Sequence, residues 1–138
     1  MRKVFIDGKE YTVTQHTVLY PSGSAAVRNR IEIHIAEDQM TRDEFFALFS
    51  EPSKLQEIKI FETDDTKTAE DPAYLKYETV CTGYTEPLFL GVKRIDTIEP
   101  TEGRTLSETH FVAELEQPLY IERMAAQMIL YKQHSANI

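Results

Sequence analysis

The chain has 138 residues, of which 41% are hydrophobic, and its mean hydropathy is −0.40. These values predict one globular domain over residues 1–138 with enough apolar material for a core, and no stretch approaches the about 18 consecutive apolar residues of a membrane span. Its 15 basic and 23 acidic residues give a net charge of −8, which argues against binding to nucleic-acid backbones.

The first predicted element is a β-hairpin. Asp7-Gly8 separates two runs of alternating apolar and polar residues, and an Asp-Gly pair between such runs is typical of a two-residue type I′ turn. The second strand is predicted to continue as far as Tyr20, and residues 21–24 are predicted to form a turn or loop. No long apolar core follows the two basic residues near the amino terminus, and so we expect no secretory signal.

A strand, a short helix and a further strand come next. Isoleucine alternates with polar residues from Ile31 to Ile35, as in a half-buried strand. Thr41 and Glu44 have the spacing of a capping box, in which each side chain accepts a hydrogen bond from the other residue's amide. We expect the helix to end before Pro52 and to close one side of the core. Its large apolar residues are Phe45, Phe46, Leu48 and Phe49.

The middle of the chain predicts a series of strands joined by hairpins. Alternation resumes in a strand through Ile58, and an acidic loop follows at 62–72. Carboxylates in this loop could bind calcium, but the EF-hand spacing, with Gly at position six and Glu at position twelve, is absent. Three further strand patterns cover residues 73–84, 88–98 and 105–116.

After Pro118 the hydrophobic period changes to that of a helix, which we expect to end before Ser135. Its wide apolar stripe is interpreted either as packing on the chain's own sheet or as a contact with another subunit, for which flexible methionines are well suited. The residues expected at such an interface are Tyr120, Met124, Met128 and Tyr131.

These elements together predict the fold class. We expect an α+β domain that is mainly antiparallel β, with about seven strands arranged as a sandwich or a partly open barrel. One short internal helix and one C-terminal helix complete it. No internal repeat or linker divides the chain.

The sequence shows no pattern typical of catalysis, and the histidines lack metal-ligand spacing. Glu32 and His34 share one strand face and could act as a base with its orienting group, although solvated side chains are favoured there. Two of His16, His34 and His110 could meet across a sheet, but exposed polar-face positions are again favoured. The single cysteine, Cys81, excludes an internal disulfide and fits a reducing compartment. We therefore expect no catalytic, cofactor-binding or metal-ligating residues and no enzyme.

One part of the chain resembles a known group of proteins. A strand that ends in a Gly-Tyr-Thr turn at 83–85 follows an Ile-x-Ile strand and an acidic loop, and precedes a strand through Leu88, Leu90 and Ile95. This order, with a helix upstream and another at the end, resembles small accessory proteins encoded in the tail and baseplate modules of phages and prophages of Gram-positive bacteria. The resemblance covers residues 31–115.

The resemblance implies a non-enzymatic structural or assembly protein of a phage tail, baseplate or phage-tail-like particle. Such a protein is made in the bacterial cytoplasm and located in the particle. Its partners are other protein subunits, in a homo-oligomer or a large assembly, without nucleic acid or membrane.

Two other functions remain open from the sequence. The first is a small acidic inhibitor or adaptor that binds a basic partner surface, which the net charge of −8 supports. The second is a hydrolase or small-ligand protein that uses Glu32 and His34.

Overall fold

The computed structural model describes residues 1–20, 28–118 and 128–129. A 3₁₀ helix, Pro52–Lys54, lies directly after the α-helix. The strands and the α-helix are β1 (Arg2–Ile6), β2 (Lys9–Thr12), β3 (Val18–Tyr20), β4 (Arg30–Ala36), α1 (Arg42–Phe49), β5 (Glu57–Thr63), β6 (Leu75–Thr82), β7 (Glu86–Ile98) and β8 (Thr105–Glu116).

The described strands form two four-stranded sheets. The first has the order β2-β1-β5-β6 and the second the order β3-β4-β8-β7. Every strand pair is antiparallel. The predicted class, mainly antiparallel β with a short internal helix, is therefore confirmed for the described residues.

The predicted first hairpin is present with the expected turn. Ile6 pairs with Lys9, so that two residues form the loop. Both have positive φ angles, 50° at Asp7 and 80° at Gly8. A type I′ turn requires positive φ at both central positions, and Asp-Gly meets that requirement with little strain.

The prediction of one strand from this hairpin to Tyr20 was wrong. A tight turn, in which the Thr17 amide donates to the Thr14 carbonyl oxygen at 3.1 Å, separates β2 from β3. The two strands lie in different sheets, and the described residues therefore contain eight strands rather than about seven. The alternation of apolar and polar residues continues across this turn. Alternation indicates which face of a strand a residue occupies, but it does not indicate which sheet the strand belongs to.

Helix α1 begins at the predicted cap. The Thr41 hydroxyl accepts from the Glu44 amide at 3.2 Å. Among the described residues, the Glu44 carboxylate makes no bond to the Thr41 amide, so that only half of the predicted capping box is formed. The acidic residues Asp43 and Glu44 in the first turn favour the helix dipole.

Removal of the cap is expected to weaken the fold. Thr41→Ala should lower the free energy of unfolding by about 0.5–2 kcal/mol, because the Glu44 amide loses its acceptor. Urea denaturation followed by circular dichroism measures the change. Thr41→Ser retains the hydroxyl and should remain close to the wild type. Equal losses in the two variants would show that the methyl group, and not the cap, stabilises this end.

One hydrophobic core joins both sheets and the helix. Phe45 and Phe49 of α1 are fully buried, whereas Phe46 is half-buried at its edge. The Phe45 ring stacks on Phe111 of β8 with centroids 5.1 Å apart. The buried residues that the sheets contribute to this core are Val4, Ile6, Ile31, Ile33, Ile35, Ile58, Ile60, Cys81, Phe111, Ala113 and Leu115.

Most of the predicted C-terminal helix lies outside the described residues, as do Tyr120, Met124 and Tyr131 of the predicted interface. Met128 and Ile129 are described, and both are helical. Their side chains are 56% and 58% exposed. Within the described ranges, no helical segment has the length and apolarity needed to span a membrane.

Candidate functional site

Three histidine rings lie together on the second sheet. His34 belongs to β4, His110 to β8, and His16 to the turn between β2 and β3. The ring centroids of His34 and His110 are 5.3 Å apart, and that of His16 is 5.6 and 5.7 Å from them. The chain thus brings together residues that are up to 94 positions apart in the sequence.

The strand register explains why two of these rings meet. Val112 pairs with His34, and His110 pairs with Ala36, so that the two histidines are diagonal neighbours on one face of the sheet. The core residues of β4 are Ile31, Ile33 and Ile35, which alternate with His34. The histidines therefore lie on the face of this sheet that points away from the hydrophobic core.

Each of the two strand histidines is bound by its own glutamate. His34 Nε2 lies 2.8 Å from Glu32 Oε1, and His110 Nε2 lies 2.9 Å from Glu108 Oε2. In both cases the glutamate precedes the histidine by two residues, which places the pair on one strand face. The Nδ1 atoms of His34 and His110 are 3.1 Å apart. We call these three histidines and two glutamates the histidine cluster.

The burial of the two strand histidines in this cluster corrects the sequence prediction. His34 is 3% exposed and His110 is fully buried, whereas only His16 is exposed. The prediction that all three would occupy a solvated face was wrong for the two strand histidines. Alternation identifies two faces of a strand, but it does not reveal whether the second face is also covered.

Burial and charge act in opposite directions on His34. Desolvation lowers the pKa of His34 and is the largest effect, whereas the hydrogen bond from His34 to Glu32 and the carboxylate charge raise it. The nearby His110 and His16 lower the pKa further. The net direction is downward, which favours the neutral imidazole.

Two neutral histidines do not have enough N–H groups for all three contacts of the cluster, which are the two to glutamate and the one between the rings. A neutral imidazole carries one N–H and one lone pair. If each Nε2 donates to its glutamate, both Nδ1 atoms present lone pairs to each other across 3.1 Å. Facing lone pairs at that distance repel, and so a cation between the two Nδ1 atoms would stabilise the arrangement.

The sequence contains a signal for this cluster in the form of a repeated short motif. Glu-x-His occurs twice, at residues 32–34 and 108–110. Each copy lies in a strand pattern, where a spacing of two places both side chains on one face. Glu108 was therefore identifiable from the sequence, although the pairing of β4 with β8 was not.

A second feature is the exposed edge of each sheet. β7 has 13 residues and is a terminal strand of its sheet, as β6 is of the other. In the part of the chain that the structure describes, neither has a strand on its outer side. The large apolar side chains exposed on these two strands are Leu75, Tyr77, Val80, Leu88, Phe89, Val92 and Ile98.

The β7–β8 hairpin also extends beyond the rest of its sheet. β4 pairs with β8 only from His110 to Glu116, so that residues 105–109 pair with β7 alone. Ile98 and Leu106 lie near the far end and are 73% and 46% exposed. We call this two-stranded segment, 94–98 with 105–109, the hairpin arm.

Comparison of the chain with protein-family models, with curated proteins and with solved structures found no match.

Proposed function

We propose that the protein is a non-enzymatic structural component of a phage tail, baseplate or phage-tail-like particle that acts through contacts with other protein subunits. The observation that supports this proposal best is β7, a 13-residue edge strand with exposed apolar side chains. The class of particle is proposed from the resemblance of residues 31–115 to phage accessory proteins.

An edge strand of this kind favours association. Its outward N–H and C=O groups can pair with a strand of another chain, and monomeric proteins usually prevent this with short strands, prolines or charges. β7 is long, its single proline, Pro87, is its second residue, and its central charges are paired within the chain. Lys93 Nζ lies 3.0 Å from Glu114 Oε1, and Arg94 Nε lies 3.1 Å from Asp96 Oδ1. These charges therefore oppose pairing less than free ones would.

The apolar side chains of β7 add area to such a contact. Leu88 is 50% exposed and Val92 is 45% exposed. The ring of Phe89 covers Gly91, since a Cβ at that position would lie 2.8 Å from its Cζ atom, and Lys93 Nζ lies 4.7 Å from the Phe89 ring centroid. An apolar side chain buried at an interface contributes in proportion to the area removed from water.

The edge of the first sheet offers a second contact surface. On β6, Leu75, Tyr77 and Val80 are 47%, 39% and 51% exposed. Two different surfaces on one subunit allow heterologous contacts, which produce rings when the rotation closes and filaments when it does not. Repeated subunits of a tail or baseplate require contacts of this kind.

Charge substitution on β7 tests the assembly. We expect the wild type to have a native mass above the 15.9 kDa of one chain. Leu88→Lys combined with Val92→Lys should shift it to the monomer, because added lysines oppose edge pairing and remove apolar area. Light scattering after size-exclusion chromatography measures the mass over a range of concentrations. The matched control is Thr68→Lys with Ala69→Lys, which adds equal charge at exposed loop positions and should assemble like the wild type.

Two results would contradict the proposal. One is a wild type that stays monomeric at every concentration and is not found in purified particles. The other is a doubly substituted β7 variant that assembles as well as its loop control.

A further inference from the structure

We propose that His16, His34 and His110 form a binding site for a divalent first-row transition metal ion, represented by Zn²⁺. In this site His34 and His110 are ligands through Nδ1, and Glu32 and Glu108 orient the two rings. The site is distinct from the sheet edges that support the proposed function.

The spacing of the two buried nitrogens fits two ligands of one ion. Zn–N bonds of about 2.0–2.1 Å at tetrahedral angles place neighbouring ligand nitrogens about 3.3 Å apart. The Nδ1 atoms of His34 and His110 are 3.1 Å apart, and the rings are perpendicular to each other. An ion bound by both lone pairs would replace their mutual repulsion with two coordinate bonds.

The glutamates supply the outer hydrogen bonds that such a site requires. A histidine that binds a metal through one ring nitrogen usually donates its other N–H to a carboxylate or a carbonyl oxygen. Nε2 of each strand histidine lies at the distance of such a bond, 2.8 Å from Glu32 and 2.9 Å from Glu108. Two carboxylates also balance the two positive charges of the ion, which reduces the cost of burying it.

His16 lies close enough to the other two histidines to be the third ligand. Its ring centroid lies 5.6 and 5.7 Å from those of the other two, and imidazoles that share one ion have centroids about 5 Å apart by the same bond lengths. As positioned, no three such side chains in the described ranges converge on one point. His16 is exposed in a turn, and its ring makes no hydrogen bond to another described residue, so that the ring can change rotamer; we expect one of its nitrogens to become the third ligand.

The donor set determines which ions should bind. Imidazole nitrogen suits Zn²⁺, Cu²⁺ and Ni²⁺, whereas Mg²⁺ and Ca²⁺ prefer oxygen. Three protein ligands leave a fourth position of a tetrahedral ion for water or another molecule. We therefore expect Zn²⁺ to bind and Mg²⁺ not to compete.

Calorimetric titration of the chelator-treated full chain with Zn²⁺ tests the site. We expect one ion per chain, with no loss of affinity in excess Mg²⁺. His16→Ala, at an exposed position that should not disturb folding, is expected to weaken binding by more than about 100-fold, because loss of a ligand should exceed the 10–100-fold effect of an outer-shell loss. Nitrogen NMR should show the Nδ1 signals of His34 and His110 shifting as the ion is added.

Glu108→Gln tests whether Glu108 orients the ring of His110, and a second glutamate provides a matched control. Glu108→Gln is expected to weaken Zn²⁺ binding by about 10–100-fold. Glu99→Gln makes the same change outside the cluster, at a glutamate bound to Arg104, and should leave the affinity unchanged. Absence of binding, a stoichiometry other than one, or unchanged affinity in both His16→Ala and Glu108→Gln would overturn the proposal.

Discussion

Phe45→Ala is expected to lower the free energy of unfolding by about 3–5 kcal/mol. The side chain is fully buried, and its ring contacts Phe49 and Phe111 with centroids 5.0 and 5.1 Å away. Removal of the ring leaves a cavity between the helix and the second sheet, in addition to the lost burial of apolar area. Alanine is the best helix former, and so the loss reports the core rather than the helix.

Urea denaturation of the variant measures this loss, and the same helix offers a control. Phe46→Ala is an identical chemical change at a half-buried position beside Arg42, and its effect should be clearly smaller. A double-mutant cycle of Phe45→Leu with Phe111→Leu isolates the stacked pair, for which a coupling of about 0.5–1.5 kcal/mol is expected. Equal losses at Phe45 and Phe46 would show that the helix does not close the core as described.

Ile58→Ala is expected to lower the free energy of unfolding by about 2–5 kcal/mol. Ile58 is fully buried and lies on β5, which is an inner strand of the first sheet. It pairs with Ile6 on one side and Cys81 on the other, both of which are buried. A cavity at this position is therefore surrounded by residues from three strands and cannot collapse without moving all of them.

A neighbouring aliphatic residue separates burial from strand preference in this experiment. Val80 of β6 pairs with Lys59, next to Ile58, and is 51% exposed. Val80→Ala should cost less than about 1 kcal/mol, since exposed positions contribute little to the core. Chemical denaturation of both variants under one set of conditions gives the comparison. A similar loss in each would mean that strand preference, and not burial, determines the effect.

Local features of the fold could be predicted from the sequence because their causes lie within a few residues. The turn at Asp7-Gly8 depends on two φ angles, and the helix start depends on a hydroxyl three residues before an amide. The buried isoleucines of β4 follow from alternation alone. In each case the pattern and the structure are linked by one physical rule that does not involve distant parts of the chain.

The histidine cluster could be predicted only in part, because its two halves are 76 positions apart in the sequence. Each Glu-x-His pair is a local feature, and the pairs at 32–34 and 108–110 were both visible. Their meeting depends on β4 lying beside β8 in one register, since a shift of one residue would move His110 to the other face. Burial of the pair depends on what covers the sheet, which alternation does not report.

The position of β7 at the edge of its sheet also could not be predicted from the sequence, because it depends on which distant strands lie beside it. The pattern at 88–98 predicted a strand, and the structure has one at Glu86–Ile98. Nothing in the pattern distinguishes an edge strand from an inner one when charges and apolar residues alternate. The sequence therefore predicted subunit contacts through surface strands in general and through named residues of the C-terminal helix, Met128 among them, without distinguishing β7 from the other strands.

The hairpin arm has a consequence for the dynamics of the second sheet. Its residues 105–109 bond to β7 alone, whereas the rest of β8 is held on both sides. A two-stranded ribbon is only marginally stable by itself, and so local opening should require less free energy here than in the part of β8 that pairs on both sides. In the proposed assembly, the arm would adjust its twist to a neighbouring subunit while β4 and the inner half of β8 stay closed, at the cost of the entropy lost when it becomes ordered.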